Sequence, residues 1–214
     1  MKLNKNVVLF VLVMSMLFIC GCFEYEDIMT IHKDNTGTLA VHYCTLKDSD
    51  MDWKGMRFPK EKNAILDEIR NNYTSPNVKL VRFQLKEKEK YRHVYFTVKF
   101  EHVTDLNDIR HFADSRISFI QTDPNRILFK RIIHFDDEED DDDDADESAF
   151  GQAILEILET SIFDNIKFRF ELNLPEKVDE TNANWVRAGN QMVWKYTVSD
   201  FIKDKNIVMI AQTQ

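Results

Sequence analysis

Between residues 91 and 103 apolar and polar side chains alternate with a period of two: Val94, Phe96, Val98 and Phe100 fall on one side, His93, Tyr95, Thr97 and Lys99 on the other. Only a β-strand sends successive side chains to opposite faces, so this spacing demands a sheet with one core face and one partly wet face. The same rhythm returns in "NIKFRFELNLP", where Phe168, Phe170, Leu172 and Leu174 alternate with Lys167, Arg169, Glu171 and Asn173. Other strand pairs follow from it. Residues 25–46 read as a hairpin turning at Asp34-Asn35-Thr36-Gly37, with the glycine able to take positive φ. Residues 77–87 pair with 91–103 through the charged turn "KEKEK", and 116–122 pair with 126–135. "NWVRAGNQMVWKYTV" folds back at Gly189-Asn190, and 206–211 form a last strand.

Helical spacing separates these pairs. Ile65, Leu66, Ile69 and Tyr73 predict a helix over 60–72 with one buried face. A short helix begins at Thr104, its N-cap, with Leu106, Ile109 and Ala113 inward. Residues 149–163 place Phe150, Ile154, Ile157, Leu158 and Ile162 opposite Gln152, Glu156 and Glu159. Strand pairs separated by single helices argue an α+β fold, a mainly antiparallel sheet with the helices packed on one face. No Pro/Gly-rich linker divides the chain, so residues 22–214 read as a single globular domain.

The N-terminus has a different character. Lys2 and Lys5 precede an apolar run from Val7 to Ile19 broken only by Ser15, the pattern of a signal peptide. Counted to Phe23 the run reaches seventeen residues, the lower edge for a bilayer span, so an uncleaved anchor is the competing reading. The next residues, Ile19-Cys20-Gly21-Cys22, resemble the lipobox of bacterial lipoproteins. That resemblance implies removal of residues 1–21, attachment of lipid (palmitate) to Cys22, and a cell-envelope protein held to a membrane by its acyl chains. Cys20 does not fit the same role, because Ile19 would stand where a small side chain is needed. Phe23 replaces the aspartate that marks inner-membrane retention, which favours the outer membrane where one exists. With Cys20 removed and Cys22 acylated, Cys44 alone remains of three cysteines. No intramolecular disulfide is then available, and the fold must rest on a core that, in a chain this long, buries roughly 70% of the unfolded surface. Cys44 itself reads as a buried small hydrophobe.

The C-terminal part is similar to the LppM-type domain of lipid-anchored envelope proteins. The stretches that carry the similarity are Leu174-Pro175-Glu176-Lys177-Val178, Thr181-Asn182-Ala183 and Gly189-Asn190-Gln191-Met192-Val193-Trp194, with a late apolar strand reaching Ala211. The early "DNTGTLAVHY" hairpin fits as well, while Glu176 stands where that domain usually has glycine. The similarity implies no catalytic residue.

Charge excludes one class of partner. The chain carries net −9, and −11 without Lys2 and Lys5. Residues 136–147, "DDEEDDDDDADE", supply eleven acids and no base, so the rest is neutral and has no basic stripe for nucleic acid. The run itself reads as a solvated, disordered loop, since it has neither the glycine nor the ligand spacing that folds a calcium loop. Its acids end where the 149–163 helix would begin, a favourable placement for negative charge. His32, His42, His93, His102, His111 and His134 show no metal-binding spacing and read as scattered surface or core residues. No nucleophile elbow, phosphate loop or dinucleotide fingerprint occurs, and five glycines leave little room for them. Trp185 and Trp194 read as cross-strand packing on a hairpin. No catalytic, cofactor or metal residue is therefore assigned, and the expected protein is a non-enzymatic binding or structural module touching envelope proteins or lipid headgroups. The alternative is a carrier or sensor holding lipid or another apolar ligand in a cavity between sheet and helices. Sixteen phenylalanines suit such a cavity and a filled core equally.

Overall fold

The computed structural model describes residues 24–47, 51–53, 56–123, 126–134, 167–204 and 206–213. The leader 1–21, Cys22, the acidic run 136–147 and the expected helix at 149–163 lie outside the described residues.

The strands, in chain order, are β1 (Glu24–Ile31), β2 (Gly37–Leu46), β3 (Met51–Trp53), β4 (Met56–Phe58), β5 (Val78–Lys88), β6 (Tyr91–Phe100), β7 (Ser115–Gln121), β8 (Ile127–His134), β9 (Lys167–Asn173), β10 (Val178–Thr181), β11 (Trp185–Arg187), β12 (Gln191–Thr197) and β13 (Asn206–Thr213). Seven form one mixed sheet in the order β11-β12-β9-β1-β2-β6-β5, four form a second in the order β10-β13-β8-β7, and β3 pairs with β4. The expected α+β fold, a single sheet with helices on one face, is therefore corrected. Strands hold 59% of the described residues and helices 18%, and a second sheet covers part of the first. Alternation fixes which side of a strand is buried, but a strand covered by a helix and one covered by another sheet carry the same pattern. Nothing local in 116–135 reveals that its hairpin leaves the main sheet and pairs with β13 instead.

β1 lies at the centre of the large sheet. It runs antiparallel to β2 and parallel to β9, with Tyr25 opposite Phe168 and Asp27 opposite Phe170, so a pairing between distant parts of the chain closes the sheet. The β1–β2 turn departs from its expected chemistry. Asn35, at φ 66°, takes the left-handed conformation, and Asp34 Oδ1 accepts bonds from the Thr36 backbone N–H and hydroxyl. Gly37 serves space instead: a Cβ there would lie 2.0 Å from the Thr30 carbonyl oxygen and 2.5 Å from the Phe100 ring.

Helix α1 (Lys62–Tyr73) buries Ile65, Ile69 and Tyr73, and Tyr73 meets Phe96 of β6 edge-on at 4.6 Å. The helix expected from Thr104 is two 3-10 turns, Val103–Asp108 and Arg110–Phe112. Asp105 closes the first by accepting the His102 backbone N–H at 2.7 Å, and Phe112 takes the inward place expected of the exposed Ala113. A second helix, α2 (Val198–Asp204), joins β12 to β13. Thr197 initiates it, donating its backbone N–H and hydroxyl to Asp200 Oδ2 at 2.6 and 2.9 Å. Among the described residues no helix is long and apolar enough to cross a membrane.

Candidate functional site

Two groups of polar side chains stand out from the apolar packing. The first lies between the sheets. Alternation on β1 turns Tyr25, Asp27, Met29 and Ile31 inward, so a carboxylate occupies a core position. Arg131 of β8 faces it, with Nη1 2.8 Å from Asp27 Oδ2 and Nε donating to Ser115 Oγ at 3.0 Å. Asp27 is 1% and Arg131 4% exposed, and the guanidinium rests on the rings of Phe112 and Phe170 at 4.5 and 5.0 Å. Burial pushes the Asp27 carboxyl up and Arg131 pulls it back, burial being the larger effect. A cavity beside the pair, lined by residues that include Phe129, Phe170, Trp194 and Met209, has room for about one water molecule.

The interior polar group continues toward α1. The Tyr25 hydroxyl and His111 Nε2 are 2.9 Å apart, and the Tyr73 ring lies 4.2 Å from that of His111, nearly parallel. His111 is half-buried as a residue, and its Nδ1 is shielded and has no hydrogen-bond partner. Burial, and secondarily the Arg131 charge, push the His111 pKa down to about 3. The ring is neutral at physiological pH and serves the core.

The second group lies on the outer face of the large sheet, where register brings four strands together. Glu26, His42, Tyr95 and Gln84 face one another across β1, β2, β6 and β5, and Glu24, Cys44, His93 and Lys86 form the neighbouring row. His42 Nε2 lies 3.2 Å from His93 Nδ1. The ring centroids are 5.5 Å apart and the planes 16° apart, the separation that an N-to-N contact plus two ring radii requires, so the imidazoles meet edge to edge. His42 stacks on Tyr95 at 4.3 Å and 4°, while Lys86 Nζ lies 5.2 Å from the Tyr95 ring. The outer nitrogens face further groups: His42 Nδ1 is 4.0 Å from Glu26 Oε2, and His93 Nε2 is 3.9 Å from Cys44 Sγ. Arg169 pairs with both Glu26 and Glu171, and Gln191 donates to Glu171 at 2.5 Å. Burial, then the neighbouring His93, lower the His42 pKa, with Glu24 opposing.

The six histidines are thus not all scattered. His42 and His93, fifty-one positions apart, become neighbours, and His111 enters the core cluster; His134 contacts Asn206 at 2.6 Å. Cys44 is buried, as its apolar surroundings suggest, but it is also beside an imidazole. Among the described residues no group of three or more His, Cys, Asp or Glu side chains is placed to hold a metal ion. Asp27 and Arg131 escaped the sequence reading, although each carries its signal: a charge at an inward position of an alternating strand. The His42–His93 contact has no such local signal.

The C-terminal stretches that suggested a family resemblance form a clasp between the sheets. Asn182 Oδ1 accepts bonds from Trp194 Nε1 and the Ile210 backbone N–H, both at 2.9 Å, and its Nδ2 donates to the Val208 carbonyl at 2.7 Å. Val178 and Leu174 donate their backbone N–H groups to the carbonyls of Gly189 and Asn190. Trp194 is buried, while Trp185 is 48% exposed under the Lys195 ammonium.

Comparison with known proteins gives one family: a family model described as LIC11874-like matches residues 17–206. A search of curated proteins found no match. Among solved structures, the chain is similar to the folded domain of the Mycobacterium tuberculosis LppM protein, determined by NMR, with 12% identity, 90% of each chain covered and a TM-score of 0.48. At that TM-score the likeness transfers neither fold nor function.

Proposed function

The chain belongs to the LIC11874-like family, and we propose that it is a membrane-anchored bacterial lipoprotein whose folded part acts as a non-catalytic binding or structural module of the cell envelope. The observation that carries this reading is Ile19-Cys20-Gly21-Cys22 directly after the apolar leader, taken with the start of β1 at Glu24. Only Phe23 separates the acylated cysteine from the central strand, so the anchor feeds straight into the sheet and holds the domain close to the bilayer. Two or more acyl chains make that attachment stable where one gives marginal, reversible binding. The family match takes in Ile19 to Cys22 as well as the chain as far as residue 206, the start of β13.

Among the described residues, the cavity between the sheets beside Asp27 and Arg131 has room for about one water molecule, far less than an acyl chain needs, which supports the module reading for that part of the interior. The buried ion pair and the Asn182 clasp at the surface join the two sheets. Labelling with radioactive palmitate tests the anchor: wild type incorporates label and fractionates with membranes, and Cys22→Ser does neither. Label retained by Cys22→Ser would overturn the assignment. Native mass spectrometry of the processed protein tests the module, since a stoichiometric co-purified lipid would favour a carrier.

A further inference from the structure

The edge-to-edge contact of His42 and His93 sets Nε2 of one ring and Nδ1 of the other on a single axis, one nitrogen donating its N–H to the lone pair of the other. When the pair is singly protonated, one proton lies on that axis, and the remaining N–H groups point outward, toward Glu26 Oε2 and Cys44 Sγ. We propose that His42 and His93 form a two-coordinate binding site for a soft monovalent d10 cation of the Cu(I) class, which takes the place of the bridging proton. The exchange balances: one cation enters, one proton leaves to solvent, and the charge of the site is unchanged. When the pair is neutral, the axial proton moves to the outward nitrogen of the ring that carried it, His42 Nδ1 or His93 Nε2, and the cation adds a charge that Glu26 offsets.

The geometry selects this ion class. Zinc closes its structural sites with four tetrahedral ligands, whereas two opposed imidazoles supply the linear coordination that monovalent d10 ions accept, and imidazole is a good copper ligand. With metal–nitrogen bonds of about 2 Å, the nitrogens must part by under about 1 Å, a small movement for side chains on a half-buried sheet face. Ligand histidines are normally oriented by an acceptor on the other ring nitrogen; here Cys44 Sγ lies 3.9 Å from His93 Nε2, and the Glu26 carboxylate, 4.0 Å from His42 Nδ1, faces that ring as a charge rather than as a hydrogen-bond acceptor. Arg169 holds Glu26, and the Tyr95 stack fixes the His42 plane. Glu24 and Glu26 bring negative charge to the site, against Lys86 and Arg169 on flanking strands.

Titration of the processed full chain in detergent with Cu(I), against a competing chelator, tests the proposal. Wild type binds one ion; His42→Phe and His93→Phe, which keep the ring volume, both lose it; Glu26→Gln weakens it by roughly 10- to 100-fold. Cys44→Ser retains binding, and this separates imidazole coordination from capture by a thiol. X-ray absorption on the loaded wild type, which needs no variant to fold, shows two nitrogen neighbours and no sulfur. Sulfur in the ion's shell, binding that persists in both histidine variants, or failure of wild type to compete with the chelator would each overturn the assignment.

Discussion

Removing either partner of the Asp27–Arg131 pair should be costly, and the two removals should differ in pH dependence. Both side chains are at most 5% exposed and meet at 2.8 Å, so deleting one leaves the other charged in the core, a loss of about 3–5 kcal/mol. Asp27→Leu strands a guanidinium that cannot shed its proton, so its full penalty persists from pH 5 to pH 8. Arg131→Met strands a carboxyl that can neutralise. Burial already raises the Asp27 pKa against the pull of Arg131, and without that pull it rises further. A raised carboxyl pKa means that the native state holds its proton more tightly than the unfolded chain. The Arg131→Met protein is therefore closer to wild type at acid pH and loses stability as pH rises through the folded-state pKa, by up to about 1.4 kcal/mol per unit. The double variant, with apolar side chains filling both places, recovers most of the loss, since a well-packed apolar replacement of a buried pair is often neutral or better. Urea unfolding of wild type, both single variants and the double variant at pH 5 and 8 gives the cycle. Single variants within about 1 kcal/mol of wild type, or additive losses in the double variant, would refute a desolvated pair holding the sheets together. Entry of water into the adjoining cavity would place the losses at the low end of the range.

His111 supplies a separate acid sensitivity. Its pKa falls from 6.5 to about 3 on folding, so the unfolded chain binds more protons between those values, and stability is lost as pH falls below 6.5, by at most about 1.4 kcal/mol per unit. His111→Phe keeps the stack on Tyr73 and should flatten this part of the stability profile; a wild-type-minus-variant difference that does not change between pH 4.5 and 7.5 would contradict it. Gly37→Ala should cost about 3 kcal/mol or more, because its Cβ meets a backbone oxygen at 2.0 Å and the structure must move; an unchanged urea midpoint would refute the close approach. Asn182→Ala leaves the buried Trp194 indole N–H without its acceptor, a loss of about 1–3 kcal/mol accompanied by faster amide exchange at Ile210.

Hairpins and α1 were legible because their signals are local: strict alternation in β6 and β9, four apolar residues at helical spacing in α1. The division into two sheets was not, because it depends on β8 choosing β13 and on β1 choosing β9, pairings between segments far apart in sequence. Asn35 and Gly37 show a subtler limit. Both were visible as turn residues, but only the fold reveals that asparagine takes the positive φ and that glycine makes room for Phe100. Helix α2 had a readable start in Thr197 and Asp200, three residues apart. Asp27 was readable as a charge on an apolar face, whereas the His42–His93 pair required the register of β2 against β6.

The lipid anchor at Cys22 is tested most simply by the intact mass and the N-terminal peptide mass of the membrane-extracted protein. A chain beginning at Cys22 and carrying a diacylglyceryl group, with or without a third acyl chain on its amino group, is the expected result. A peptide that runs unmodified through Cys20 and Cys22, or a mature terminus at any other residue, would contradict it.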